Sequence, residues 1–107
     1  MLAHTPKPPY YAVIFTSIRT EAEEAAYDET ATRMMELAAE QPGFLGVESA
    51  RVHIGVTVSY WQSLDAIRSW KANVEHLAAQ KDGRQLFYRH YKTRIAKVER
   101  DYGFGST

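Results

Sequence analysis

The chain has 107 residues, of which 45% are hydrophobic, 24% charged and 12% aromatic, and its thirteen basic and thirteen acidic side chains cancel. That length fits one domain, and the balanced charge removes the electrostatic footprint of a nucleic-acid binder or a polybasic membrane-surface protein. The absence of cysteine excludes disulfides, thiolate nucleophiles, cysteine-ligated zinc and iron–sulfur clusters, and makes the cytoplasm the expected compartment.

The N-terminal MLAHTPKPPYY has no basic-then-apolar order and no window reaches the roughly eighteen apolar residues of a membrane span, so neither a leader nor a membrane partner is expected. Pro6, Pro8 and Pro9 make residues 1–9 an extended arm. Tyr10 to Arg19 reads as a strand rich in β-branched and aromatic residues, with Tyr11, Val13 and Phe15 on one face and Ala12, Ile14 and Ile18 on the other. Thr20 with Glu23 fits a capping box, after which Tyr27, Ala31, Met34 and Ala38 recur at helical spacing to about Glu40, where Gln41, Pro42 and Gly43 stop the helix.

Phe44 to Val52 and Gly55 to Gln62 give two further strands, joined tightly around His53 to Gly55 as in a hairpin. Ser63 is the expected N-cap of a second helix whose apolar stripe is Ile67, Trp70, Val74 and Leu77, with a break expected near Asn73 and an end before Gly83. Phe87 to Glu99 alternates as a long last strand, with Tyr88 and His90 on one face, and residues 105–107 form a tail. The order strand, helix, strand, strand, helix, strand is the split βαβ arrangement of ferredoxin-like domains, so the expected class is α+β, with residues 10–104 as the domain.

Helices of such a domain cover one face of the antiparallel sheet. The first strand is apolar on both faces, so the second face needs cover too, and a second copy of the chain supplies it with the two sheets face to face. The expectation is a homodimer, a dimeric α+β barrel.

PGFLGVESAR, VSYWQSLDAIRSWKANVEH, AQKDGRQLFYRHY and RIAKVERDYGF, in this order and spacing, resemble the antibiotic biosynthesis monooxygenase family of dimeric α+β barrels, and within it a small uncharacterised bacterial branch in which SYW, WK, EH and VER recur. The resemblance runs from about Tyr10 to Phe104. It implies a pocket in each subunit, between sheet and helices, that takes a flat aromatic molecule. It also implies oxidation of a phenolic substrate to a quinone by dioxygen with neither metal nor flavin. Such chemistry needs a base, a stacking surface, donors for the developing oxyanion and exclusion of water.

His76 is the candidate base, because an imidazole takes a proton at neutral pH. On a continuous helix Asn73, His76 and Gln80 form a polar line beside the Trp70 stripe, which suits an aromatic pocket with directing groups; the plain alternative is a solvated helix surface. Trp70 is a core residue or a pocket wall. Trp61 shares its strand face with Ser59 and Thr57 rather than with Val56, Val58 and Tyr60, so it lines a cavity or a subunit interface. Arg51 and Glu48 lie on opposite faces of the second strand; Arg51 either directs a phenolate or oxyanion or makes a cross-strand ion pair. Tyr88 and His90 are placed to reach the same pocket.

No helical His-x-x-x-His or Glu-x-x-His pattern is present, and the six glycines form no phosphate-binding loop, so no metal and no nucleotide cofactor are expected. The family's haem-degrading relatives place an asparagine on the first strand, a tryptophan ending the third and a histidine near the end of the second helix. Trp61 matches, but the first strand has no asparagine and Gln80 stands where the histidine would, leaving haem binding or degradation a minor reading. A non-catalytic ligand-binding or stress-responsive protein on the same fold is the alternative from another class.

Overall fold

Six elements follow the residue patterns of the chain: β1 (Tyr10–Arg19), α1 (Glu24–Ala39), β2 (Phe44–Arg51), β3 (Gly55–Trp61), α2 (Leu64–Lys81) and β4 (Tyr88–Val98). The computed structural model describes residues 2–20, 24–81 and 88–105, with side chains at all of these except 24–27 and 75–81. The strands form one antiparallel sheet in the order β2-β3-β1-β4, and the two helices connect them as the split βαβ pattern requires. The domain is α+β and ferredoxin-like.

Local chemistry sets the element ends. Ser63 Oγ accepts a hydrogen bond from Ala66 N at 3.1 Å, the N-cap expected for α2. That helix runs unbroken to Lys81, which corrects the expected interruption near Asn73. The physical reason is that the segment contains neither glycine nor proline, and a lone asparagine in a helix costs well under ~1 kcal/mol. The capping box at Thr20 and Glu23 lies partly outside the described residues. At the other end of α1, Gly43 adopts φ 86°, and a Cβ there would sit 2.7 Å from Ala66 Cβ. A glycine is needed both to turn the chain into β2 and to let α2 start against that turn.

The register sorts the sheet into two faces. Tyr11, Val13, Phe15 and Ser17 of β1 stand opposite Trp61, Ser59, Thr57 and Gly55 of β3, and share their face with Ile95, Thr93 and Tyr91 of β4. This is the helix face, because Trp61 stacks on Trp70 of α2 with ring centroids 6.0 Å apart. Ile67 and Ala38, from α2 and α1, complete the buried apolar set on the helix layer.

On the opposite face lie Tyr10, Ala12, Ile14, Thr16 and Ile18 with Tyr60, Val58 and Val56. The N-terminal arm covers one end of it: Ala3 N donates to Glu48 Oε2 at 2.9 Å, and Thr5 Oγ1 donates to the Tyr10 hydroxyl at 3.0 Å. The C-terminal segment closes on the same place, where Tyr10 donates to Asp101 Oδ2 at 2.5 Å. Away from this clamp Ile18 and Val56 remain exposed. Among the described residues no helix is long and apolar enough to cross a membrane.

Candidate functional site

Along the helix face the floor changes from apolar to polar. At one end Trp61 is 0% exposed, with Trp70 stacked on it and Phe44 against it edge-on at 5.4 Å. Its Nε1 donates to Ser59 Oγ at 2.9 Å, so the indole is satisfied inside the protein. Trp61 is therefore a core residue, which corrects its expected place on a cavity or subunit wall. Rings on two sides leave it no surface for a ligand. Trp70 is half-buried and keeps part of its ring toward the outside.

Beyond the tryptophans, Phe15 on β1 meets Tyr88 and Tyr91 on β4, each at 5.4 Å between ring centroids, and the two tyrosines lie 6.0 Å apart. Tyr91 and Ile95 are exposed, so this aromatic cluster is open on its β4 side. The order in which the residues sit on β1 puts Tyr11 beside Trp61, Phe15 beside Thr57 and Ser17 beside Gly55. The result is an aromatic cluster on the helix face, with the tryptophan pair toward one end of the strands and polar groups toward the other.

That polar end is built by Arg51. Its Nη2 donates to Ser17 Oγ at 2.5 Å, and Ser17 is a buried polar side chain. One partner of the guanidinium is therefore a hydroxyl two strands away, on β1. Glu48, on the other face of β2, faces Tyr60 and the arm instead. Among the described residues, no three histidine, aspartate or glutamate side chains gather where they would hold a metal ion.

Several expected site residues take other positions. Asn73 is exposed and its Nδ2 donates to Gln41 Oε1 at 3.0 Å, tying α2 to the turn after α1. His90 pairs with Ile18 while Tyr88 pairs with Arg19, because the register shifts between Ile18 and Arg19. This bulge inserts one residue into β4 and separates two side chains expected on one face: Tyr88 joins the aromatic cluster and His90 goes to the opposite face. The side chains of His76 and Gln80 lie outside the described residues. Sequence reasoning did not name Ser17, Phe15, Tyr91 or Gly55 as site residues; only strand register, which needs the partner strand, brings them together.

A second polar cluster sits on the opposite face. Tyr60 donates to Glu48 Oε1 at 2.6 Å. This bond, followed by the one from Ala3 N, holds the Glu48 carboxyl below the usual carboxylate range. Burial first, then the bond to Glu48, pushes the Tyr60 hydroxyl up to about 12. Burial first, then the bond to Asp101, raises Tyr10 as well. All these groups hold their ordinary protonation states at neutral pH more firmly, which suits a clamp and not an acid–base catalyst.

With this geometry in place, comparison with known proteins is decisive for the family. The model of the family described as antibiotic biosynthesis monooxygenase matches residues 9–82. The chain belongs to that family. YqjZ of Bacillus subtilis (strain 168), an uncharacterised protein, is 55% identical over 101 residues, covering 92% of this chain and 88% of that one. PA3566 of Pseudomonas aeruginosa superposes with a TM-score of 0.67 at 15% identity, over 91% of this chain and 99% of the other. SnoaB of Streptomyces nogalater, a cofactor-independent oxygenase, superposes with a TM-score of 0.67 at 16% identity, over 92% and 100%. At these identities the superpositions speak for the antibiotic biosynthesis monooxygenase fold alone.

Proposed function

We propose that this protein is a cofactor-independent monooxygenase that oxidises a flat aromatic, quinol-type small molecule bound in the groove between the helix layer and the β1–β4 half of the sheet. The observation that carries this reading is the open cluster of Phe15, Tyr88 and Tyr91, which ends at a guanidinium held by a buried hydroxyl. Aromatic walls with one or two convergent polar groups are what a site for a flat, partly polar ligand requires. The family membership and the oxygenase SnoaB on the same fold support the reaction type.

In this reading His76 removes a proton from the bound phenol or its keto tautomer. α2 is about 27 Å long and returns over a sheet strand of about 24 Å, so its C-terminal half has the reach to come back toward the Arg51 end. The carbanion gives its electrons to dioxygen, one oxygen atom stays on the substrate as the quinone carbonyl, and the other leaves as water. The substrate supplies all the electrons, so the protein's tasks are to take the proton, hold the oxyanion with Arg51 and keep bulk water out. Trp70 closes the apolar end, Tyr88 stacks, Gln80 lies on the same helix as the base, and Asn73 positions α2 through Gln41. The working form is a cytoplasmic homodimer joined through the sheet face that carries Ile18 and Val56; sedimentation at low micromolar concentration should give about twice the chain mass of 12.2 kDa.

A second reading, a non-catalytic aromatic-binding module, is favoured by the sealing of Trp61 and the engagement of Asn73 with Gln41, which withdraw two candidates from chemistry. An oxygen-electrode assay of metal-stripped protein against hydroquinones, naphthols and anthrones, with His76→Ala alongside, separates the two. Uptake that requires the protein and is lost in the variant supports the oxygenase; no uptake across the panel supports the binding module.

A further inference from the structure

Exposed apolar side chains gather at the two ends of the sheet face that the helices leave open. Toward the end of β1, Ile18 and Val56 are exposed on that face, and Val52 and Ile54 stand exposed in the turn from β2 to β3, next to Gly55, the partner of Ser17. At the start of β1, the hydrogen bond from Tyr10 to Asp101 Oδ2 pins the segment after β4. Tyr102 and Phe104, just beyond the pin, are fully exposed. Rings of that size held in water mark a surface that a partner covers.

The two patches cannot cover each other within one chain. Ile18 lies eight residues along β1 from Tyr10, about 26 Å. Phe104 lies three residues from Asp101, so its backbone travels no more than about 11 Å from the pin. Two sheets packed face to face are about 10 Å apart. The segment therefore reaches a sheet lying over its own and falls short of the far end of its own sheet.

Symmetry brings the patches together in a pair of copies. A two-fold axis lying between two sheets and across their strands reverses the strand direction, so the Tyr10 end of one copy stands over the Ile18 end of the other, and the match is made twice. Charge agrees with this pairing. His90 and Lys92, exposed on β4 opposite Ile18 and Thr16, rim one patch, while Glu99 and Asp101, with Arg100 between them, precede the two rings. Cations beside an apolar patch also suit the faces of incoming aromatic rings.

We infer that the segment Tyr102–Phe104 is an arm that docks on a second copy of this chain, its two rings covering the patch of Ile18, Ile54 and Val56 on that copy while the second arm does the same in return. The inference rests on the reading of the open sheet face as a homodimer seam and names the contact that closes its two ends. Four aromatic rings at about 150–250 Å² each supply roughly 600–1,000 Å², against about 1,600 Å² for a standard stable interface. The arms are thus a large part of what holds the pair together.

The chain has no cysteine, so introduced thiols are the only ones present. Full-length Phe104→Cys protein is mixed with Ile54→Cys protein carrying a mass tag, allowed to exchange subunits and treated with a short bismaleimide. The control replaces the tagged protein by tagged Glu29→Cys, whose thiol sits on the exposed side of α1. The mixed-mass covalent dimer is expected at several times the control yield. Replacing both rings, Tyr102→Ser with Phe104→Ser, removes groups that are exposed in the single chain, so circular dichroism should be unchanged while the dimer dissociation constant from sedimentation rises at least about tenfold. A wild type that sediments as a dimer but cross-links no better than the control overturns the arm and leaves the dimer standing. A dissociation constant that moves less than about twofold in the ring-free variant does the same. A wild type that is monomeric at low micromolar concentration overturns the dimer reading and this inference with it.

Discussion

Replacing Tyr60 by phenylalanine removes a single hydroxyl, the one that donates to Glu48 Oε1 at 2.6 Å. A hydrogen bond to an ionised acceptor contributes about 1.5–3 kcal/mol, roughly twice a neutral one. Glu48 keeps its second bond, from Ala3 N, so the carboxylate is not stranded and the loss belongs to the Tyr60 bond. A double-mutant cycle with Glu48→Ala, which leaves no acceptor for the hydroxyl, followed by urea denaturation at pH 7, should give a coupling energy of about 1.5–2.5 kcal/mol. With a urea slope of about 1–3 kcal/mol per molar, the Tyr60→Phe midpoint falls by roughly 1 M.

The same pair predicts the pH dependence. The Glu48 carboxyl is lowered in the folded protein, so its contribution is complete above the ordinary carboxylate pKa and is lost as pH falls through the lowered value. The Tyr60 hydroxyl is raised to about 12, so its contribution is complete below the ordinary tyrosine pKa of ~10 and is lost as pH rises toward the folded value. The penalty of Tyr60→Phe should therefore be flat from about pH 6 to 9 and shrink at both extremes. A coupling below about 0.5 kcal/mol at pH 7, or one unchanged at pH 3, would refute this account of the clamp.

Trp61→Ala should cost about 3–5 kcal/mol and lower the melting temperature by well over ~10 °C in a domain of this size, because the removed ring is fully enclosed; a change under about 1 kcal/mol would mean that the site is open. Gly43→Ala combines a left-handed backbone at φ 86° with a methyl group 2.7 Å from Ala66 Cβ, and should destabilise by about 2–4 kcal/mol in denaturant titration. Ser63→Ala removes the bond that caps α2 and should cost about 1 kcal/mol by the same measurement, with loss of helical circular dichroism confined to the first turn.

Much of the fold was readable from short-range chemistry. The two-sided strand at Tyr10–Arg19, the Ser63 cap and the stop at Gln41 to Gly43 each depend on a few neighbouring residues, and all three appear where expected. The split βαβ order follows from those elements, since little else joins four strands and two helices in that sequence. The candidate site was legible only in part. Arg51, Trp70 and Tyr88 were singled out by residue type, and their surroundings came from elsewhere in the chain.

A bulge between Ile18 and Arg19 parts Tyr88 from His90, and no periodicity within β4 carries that information, because a register shift belongs to a pair of strands. Trp61 looked available because its strand face is mixed, yet Trp70 and Phe44, distant in sequence or across the hairpin, enclose it. Ser17, an unremarked serine in an apolar strand, acquires its meaning from an arginine that reaches it across two strands over a glycine. By itself the sequence determined which segments are strands and helices and in what order they follow, because those preferences are written in backbone chemistry a few residues wide. Which side chains meet on the helix face was decided by the tertiary structure, because strand register and the space left by a missing Cβ are properties of pairs of segments.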